Sequence, residues 1–99
     1  MIRGTTPTIR FTLPMDTGLI DKMYITVAQG GKVVFEKTKE DCSMNGSVVT
    51  CKLTQEDTLA MDSNMAADIQ VRGKTVNGDA VASHIFKLQP GRILKEGEI

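Results

Sequence analysis

The sequence predicts an all-β chain folded as two antiparallel sheets packed face to face, on three observations. Apolar residues recur at every second position through most of the chain. Glycine-centred turn signals separate these alternating stretches. Only one stretch, near 54–61, breaks the period of two. A lone sheet would leave one apolar face wet, and a second sheet laid over it removes that cost. At this length the expected form is an immunoglobulin-like antiparallel β-sandwich of six or seven strands, with a small partly open barrel as the rival architecture.

The first strand is Thr8 to Leu13, with Ile9, Phe11 and Leu13 on one face and Thr8, Arg10 and Thr12 on the other. Pro7 and Pro14 bracket it, as proline is tolerated at strand ends. Pro14 to Asp21 then reads as a crossing loop. Met23, Ile25 and Val27 share the next phase, Gln29-Gly-Gly-Lys32 reads as a turn, and Val33 to Glu36 returns, so a hairpin is expected over about 22–38. A second hairpin centres on Asn45-Gly46, with Val49, Cys51 and Leu53 on one face of its outgoing arm. Thr54 with Asp57 three residues later is an approximate capping box, predicting a single helical turn over about 54–61 that tucks Leu59 and Met61 under the sheets. A third hairpin centres on Asn77-Gly78, with arms Ala66 to Val76 and Ala80 to Leu88. Both faces of the returning arm hold large apolar residues, so its inward side is left open. The sandwich is expected over residues 1–88, with 89–99 as a C-terminal tail.

Ninety-nine residues make one domain, and area scaling gives a folded surface of about 5,500 Å² against about 15,700 Å² unfolded. Twelve basic and twelve acidic residues cancel, so no net field steers the chain to nucleic acid or an anionic membrane. Lys32, Lys37 and Lys39 share a hairpin, but Glu36, Glu40 and Asp41 interleave with them. The three phenylalanines read as core residues, leaving few aromatics for stacking on bases or sugars. No apolar run is long enough to span a bilayer, and Met1-Ile-Arg-Gly-Thr-Thr-Pro lacks the apolar stretch of a secretory signal, so membrane insertion and signal-directed export are not expected.

Chemistry-bearing residues are sparse. His84 is the single histidine and no Cys-x-x-Cys spacing exists, so no metal site is expected. Nothing arranges Ser83 or another hydroxyl around His84 as a nucleophile, so no catalytic residues and no cofactor are expected. Asp62-Ser-Asn-Met only faintly resembles a calcium loop and reads better as a solvated turn. With Asn45 and Gly46 at the centre of their turn, Met44 faces Ser47, Ser43 faces Val48 and Cys42 faces Val49. Cys51 is then diagonal to Cys42 and out of disulfide reach without a register shift. Two reduced, partly buried thiols are the expectation. In the tail, Pro90-Gly91 ends the last strand, yet Ile93, Leu94 and Ile99 follow among charges. They read either as a frayed end or as an arm that docks on a neighbouring subunit. Arg3 and Arg10 would form the polar rim of such a contact.

Several segments together carry a resemblance. Ile2-Arg-Gly-Thr-Thr-Pro-Thr, Phe11-Thr-Leu-Pro, Val33-Val-Phe-Glu-Lys-Thr, Leu53-Thr-Gln-Glu-Asp-Thr-Leu, Ile69-Gln-Val-Arg and Asn77-Gly-Asp-Ala look like small structural proteins encoded in prophages of Gram-positive bacteria. More distantly, the chain is similar to the N-terminal sandwich domain of phage baseplate upper proteins. These segments are turns, caps and core strands, so the resemblance carries over no active-site residues. It implies a non-enzymatic tail or baseplate part that binds protein subunits, either copies of itself or other tail components. It further implies expression in the bacterial cytoplasm and assembly into a virion tail. The competing expectation is a small sandwich module that binds a host receptor or carbohydrate.

Overall fold

The computed structural model describes residues 1–99 and holds two antiparallel sheets. The smaller is built from β1 (Thr8–Thr12), β5 (Val48–Lys52) and β4 (Ser43–Asn45), in that spatial order. The larger runs β3 (Lys32–Thr38), β2 (Ile20–Gln29), β6 (Ala67–Thr75), and its far edge is shared by two short strands, β7 (Ala80–Ala82) and β8 (Phe86–Leu88). One helical turn, α1 (Gln55–Leu59), closes the end between β5 and β6, and short 3₁₀ turns occupy Thr17–Leu19 and Lys39–Asp41. No helix is long and apolar enough to cross a membrane.

The alternation explains the core. Met23, Ile25 and Val27 of β2, with Ile69 and Val71 of β6, are buried from one sheet, and Val49 and Cys51 of β5, with Leu53 just beyond it, meet them from the other. Ile9 and Phe11 of β1, with Leu13 just beyond it, pack against this cluster on the face their spacing predicts. The β2–β3 hairpin turns at Gly30-Gly31, both at positive φ, where a side chain would be strained. Thr54 accepts from the Asp57 backbone N–H at 3.1 Å, and the Asp57 carboxylate accepts from the Thr54 N–H at 2.9 Å, so the capping box is complete.

Five expectations are corrected. There are eight strands, not six or seven. The segment between Pro14 and Asp21 is only partly a crossing loop: it contains a 3₁₀ turn and β2 already begins at Ile20. Met61 is buried as expected, but Leu59 is half-buried, and the fully buried residue of α1 is Thr58, whose hydroxyl donates to the Thr5 carbonyl at 2.8 Å. The arm from Ala80 to Leu88 is broken at Ser83–Ile85, where Ser83 bonds both backbone groups of Val71. That break inverts the phase: Val81 is turned inward before it and Leu88 after it, which is why neither face read as the inner one. Finally, the second hairpin turns on Gly46-Ser47, pairing Asn45 with Val48, Met44 with Val49 and Ser43 with Thr50. Gly46, at φ +60°, is the left-handed first residue of that pair, so the turn centre lies one place later than the Asn-Gly signal implied.

Candidate functional site

A concave surface lies where the sandwich is open. β1 is a free edge of the smaller sheet, and β7 and β8 form the free edge of the larger one. Between these edges runs a groove of about 470 Å³. Its floor is Ile20, Met23 and Val71, its walls are Phe11, Leu13 and Met15 on one side and Val81 and Phe86 on the other, and Arg10 and His84 sit exposed at its mouth. Phe86 was expected in the core; it is 49% exposed, because the break after Ala82 lifts it onto the rim, where it meets Phe11 at 6.2 Å between ring centroids. Gly73 also lines the groove, and a Cβ there would stand 3.0 Å from the Lys22 carbonyl oxygen. The groove wall is tied to the β4–β5 tip: the Leu13 N–H donates to the Ser47 carbonyl at 2.7 Å, and the Thr17 N–H and hydroxyl both donate to the Gly46 carbonyl at 2.8 Å.

His84 and Ser83 are neighbours in chain but not partners in chemistry. The Ser83 hydroxyl accepts from the Val71 N–H at 3.0 Å and donates to the His84 backbone carbonyl at 2.8 Å. Its hydrogen-bonding capacity therefore serves the strand break. No three His, Cys, Asp or Glu side chains converge as a metal cage.

A second cluster, at the closed end, was not anticipated from the sequence. Lys37 from β3 meets Asp57 from α1 at 2.6 Å, with side chains 15% and 13% exposed. Asp41, Cys42 and Cys51 lie beside them. Burial pulls the Lys37 ammonium down, but Asp57 outweighs it by hydrogen bond and charge, with help from Asp41, and the net shift is upward. Burial likewise pushes the Asp57 carboxyl up, while Lys37 and the Thr54 bonds carry it below its ordinary value. The Cys42 thiol is pushed up to about 12, first by burial and then by Cys51. The lysine trio of the hairpin is thus largely spent within the chain, since Lys39 Nζ also donates to the Ile20 carbonyl at 2.8 Å.

The residues singled out as contact candidates fall in two places. Arg10 borders the groove. Arg3, expected at a polar rim, instead serves its own chain: one guanidinium nitrogen meets Glu96 at 3.0 Å and another donates to the Leu59 carbonyl at 2.9 Å. Ile93 is half-buried beside Gly4, while Leu94 and Ile99 are 99% and 94% exposed. The tail is also held by a parallel bridge between Ile2 and Gly91 and by the Gln55 amide, which bonds both backbone groups of Ile99.

The surroundings of Gln29 were legible only in part. It continues the inward phase of Met23, Ile25 and Val27, and its buried amide donates to the Asp62 and Met65 carbonyls at 2.7 and 3.0 Å and accepts from the Asp62 N–H at 2.8 Å. It thereby shapes the loop that had looked faintly like a cation site.

Comparison with family models, curated proteins and solved structures returns no match. The groove and the closed-end cluster therefore have to be read from their own chemistry.

Proposed function

We propose that this protein is a non-enzymatic structural subunit working through protein–protein contacts, of the phage tail or baseplate kind that its turn and strand segments resemble. The observation that carries the reading is the apolar groove between two free sheet edges. An extended segment of a partner subunit is the occupant its chemistry recognises. β1 offers a row of unpaired backbone donors and acceptors on its outer side, and the groove alongside takes aliphatic side chains at every second position of an added strand. Arg10 at the mouth favours an acidic residue on that segment. The exposed area agrees with such a role: the isolated chain presents 6277 Å², against about 5,500 Å² for a compact protein of this mass.

Size-exclusion chromatography with light scattering tests the reading, using the full chain at high concentration alone and with the products of the genes flanking its own. A defined complex is expected, lost in Phe86→Lys on the rim and kept in Leu94→Lys on the tail. A monomer that joins none of these proteins would refute it.

One observation favours a second reading. Half-exposed Phe86 beside Phe11 is a surface on which a sugar ring could stack. A specific glycan-array signal abolished by Phe86→Ala would place that module ahead of the structural subunit.

A further inference from the structure

The corrected register of the β4–β5 hairpin changes the relation between the two cysteines. With Met44 opposite Val49 and Ser43 opposite Thr50, the next rung sets Cys42 directly across from Cys51. Cys42 continues the strand, with extended backbone at φ −120° and ψ 158°. Its N–H donates to the Lys39 carbonyl at 3.2 Å and not across the ladder, which marks the rung as a non-hydrogen-bonded one. In such rungs the Cα atoms stand about 4.5 Å apart with side chains close, inside the ~4.4–6.8 Å span that disulfides bridge. Both side chains turn toward the core, Cys51 buried and Cys42 half-buried, and the thiols lie within hydrogen-bonding reach of each other. Their other contacts are backbone carbonyls, Thr38 at 3.4 Å from Cys42 and Asp41 at 3.8 Å from Cys51. Neither contact obstructs a bond between the sulfurs.

We infer that Cys42 and Cys51 are a reversible dithiol–disulfide couple, closed by exchange with a low-molecular-weight disulfide into an intrachain bond across the base of the β4–β5 hairpin. Cys42 is the more accessible thiol and reacts first. It loses its proton to solvent, and the thiolate attacks one sulfur of the small disulfide, releasing one small thiolate and leaving a mixed disulfide on Cys42. Cys51 then loses its proton and attacks the Cys42 sulfur, expelling the second small thiolate. The protein gives up two electrons and two protons, and the small disulfide becomes two thiols. The groups facing Cys42 set the pace: burial, Cys51 and Asp41 disfavour its thiolate and Lys37 favours it, with a net upward shift. Closure is therefore slow at neutral pH and quickens as pH rises. The bond would also brace the groove wall, because the tip of this hairpin holds Leu13 and Thr17.

Equilibration of the full chain with glutathione redox buffer at mildly alkaline pH, in native buffer and in urea, tests the inference. The expected product is a monomer lighter by two hydrogens, with both cysteines resistant to alkylation until dithiothreitol is added. Because the fold holds the thiols together, the equilibrium constant for closure is expected to be on the order of tenfold or more larger in native buffer than in urea. Cys42→Ser and Cys51→Ser are each expected to stop at a single glutathione adduct or none. The inference is overturned by a mixed disulfide on Cys42 that persists in the wild type, by intermolecular dimers, or by thiols that stay reduced. A closure constant no larger in native buffer than in urea would overturn it as well, and that comparison needs no variant to fold.

Discussion

Lys37 Nζ and the Asp57 carboxylate stand 2.6 Å apart, and this pair pins α1 against the end of β3. The two partners are not equivalent. Asp57 also accepts the Thr54 N–H, so it keeps bonds when Lys37 is removed, whereas Lys37 without Asp57 is left as a largely buried cation. Asp57→Ala is expected to lower unfolding free energy by about 1–3 kcal/mol, and Lys37→Met by clearly less. Urea unfolding of both variants checks the order, and equal losses would show that the two ends of the pair act alike.

The same groups set the pH range of stability. Asp57 and Asp41 have folded values below their ordinary ones, Asp41 chiefly through the Thr38 N–H. Their contribution is present above the ordinary carboxylate range and is lost as pH falls through the lowered folded values. Lys37 is raised, so its contribution holds below the 10.5 of an ordinary lysine and disappears as pH climbs through the folded value. Cys42 is raised from 9.0 to about 12, so stability also declines over that interval, as unfolding frees a thiol that ionises more readily. A flat urea midpoint from about pH 5 to about pH 8, with losses on both sides, is expected. Cys42→Ser should remove the onset of the alkaline loss near pH 9 while leaving the acid limb in place.

Thr58 shows how a buried hydroxyl can be worth more than its size. It is fully buried and its bond to the Thr5 carbonyl ties α1 to the N-terminal segment. Thr58→Val keeps the volume but leaves that carbonyl without its donor, an expected cost of about 1–3 kcal/mol in thermal or urea unfolding. Thr58→Ser should recover most of it.

The sheets were legible because alternation is local. Met23, Ile25 and Val27 declare their face without reference to any other strand, and so do Val49 and Cys51. What the chain did not declare was registration between strands. The Asn45-Gly46 signal located its hairpin but not its central pair, and one place of slippage separated a diagonal Cys42–Cys51 from a directly opposed one. The groove was hidden for a similar reason. It depends on the phase inversion at Ser83–Ile85 and on two edges far apart in sequence, neither of which leaves a periodic trace. Lys37 and Asp57 are twenty residues apart, and only the packing of α1 on β3 makes them partners.

Gly73 lies inside β6, and glycine inside a strand often marks close approach of another backbone. It pairs with Met23 just beside the irregularity between Ile20 and Lys22, and a Cβ would meet the Lys22 carbonyl at 3.0 Å and Val81 at 3.8 Å. Gly73→Ala is therefore expected to push β2 and β6 apart locally, destabilising by about 1–3 kcal/mol even though alanine is the better strand former. Hydrogen exchange should show faster opening at Met23 and Val81. Unchanged protection there would mean that the strands accommodate the methyl without moving.

Arg3 is one of several contacts that hold the C-terminal segment against the body. Its guanidinium joins Glu96 to the last carbonyl of α1, where a cation also suits the negative end of the helical turn, though its buried Nε meets no acceptor. The Glu96 contact is solvent-facing and contributes little alone, about 0–1 kcal/mol. The Leu59 contact is sheltered and should matter more. Arg3→Ala is expected to raise amide exchange across 92–99 and speed proteolysis there, whereas Glu96→Gln should leave both nearly unchanged. Were Glu96→Gln to free the tail as fully as Arg3→Ala, the ion pair and not the helix carbonyl would be the anchor. In Arg3→Ala, Leu94 and Ile99, already exposed, should show the smallest change in side-chain environment, while Ile93, leaving Gly4, should show the largest.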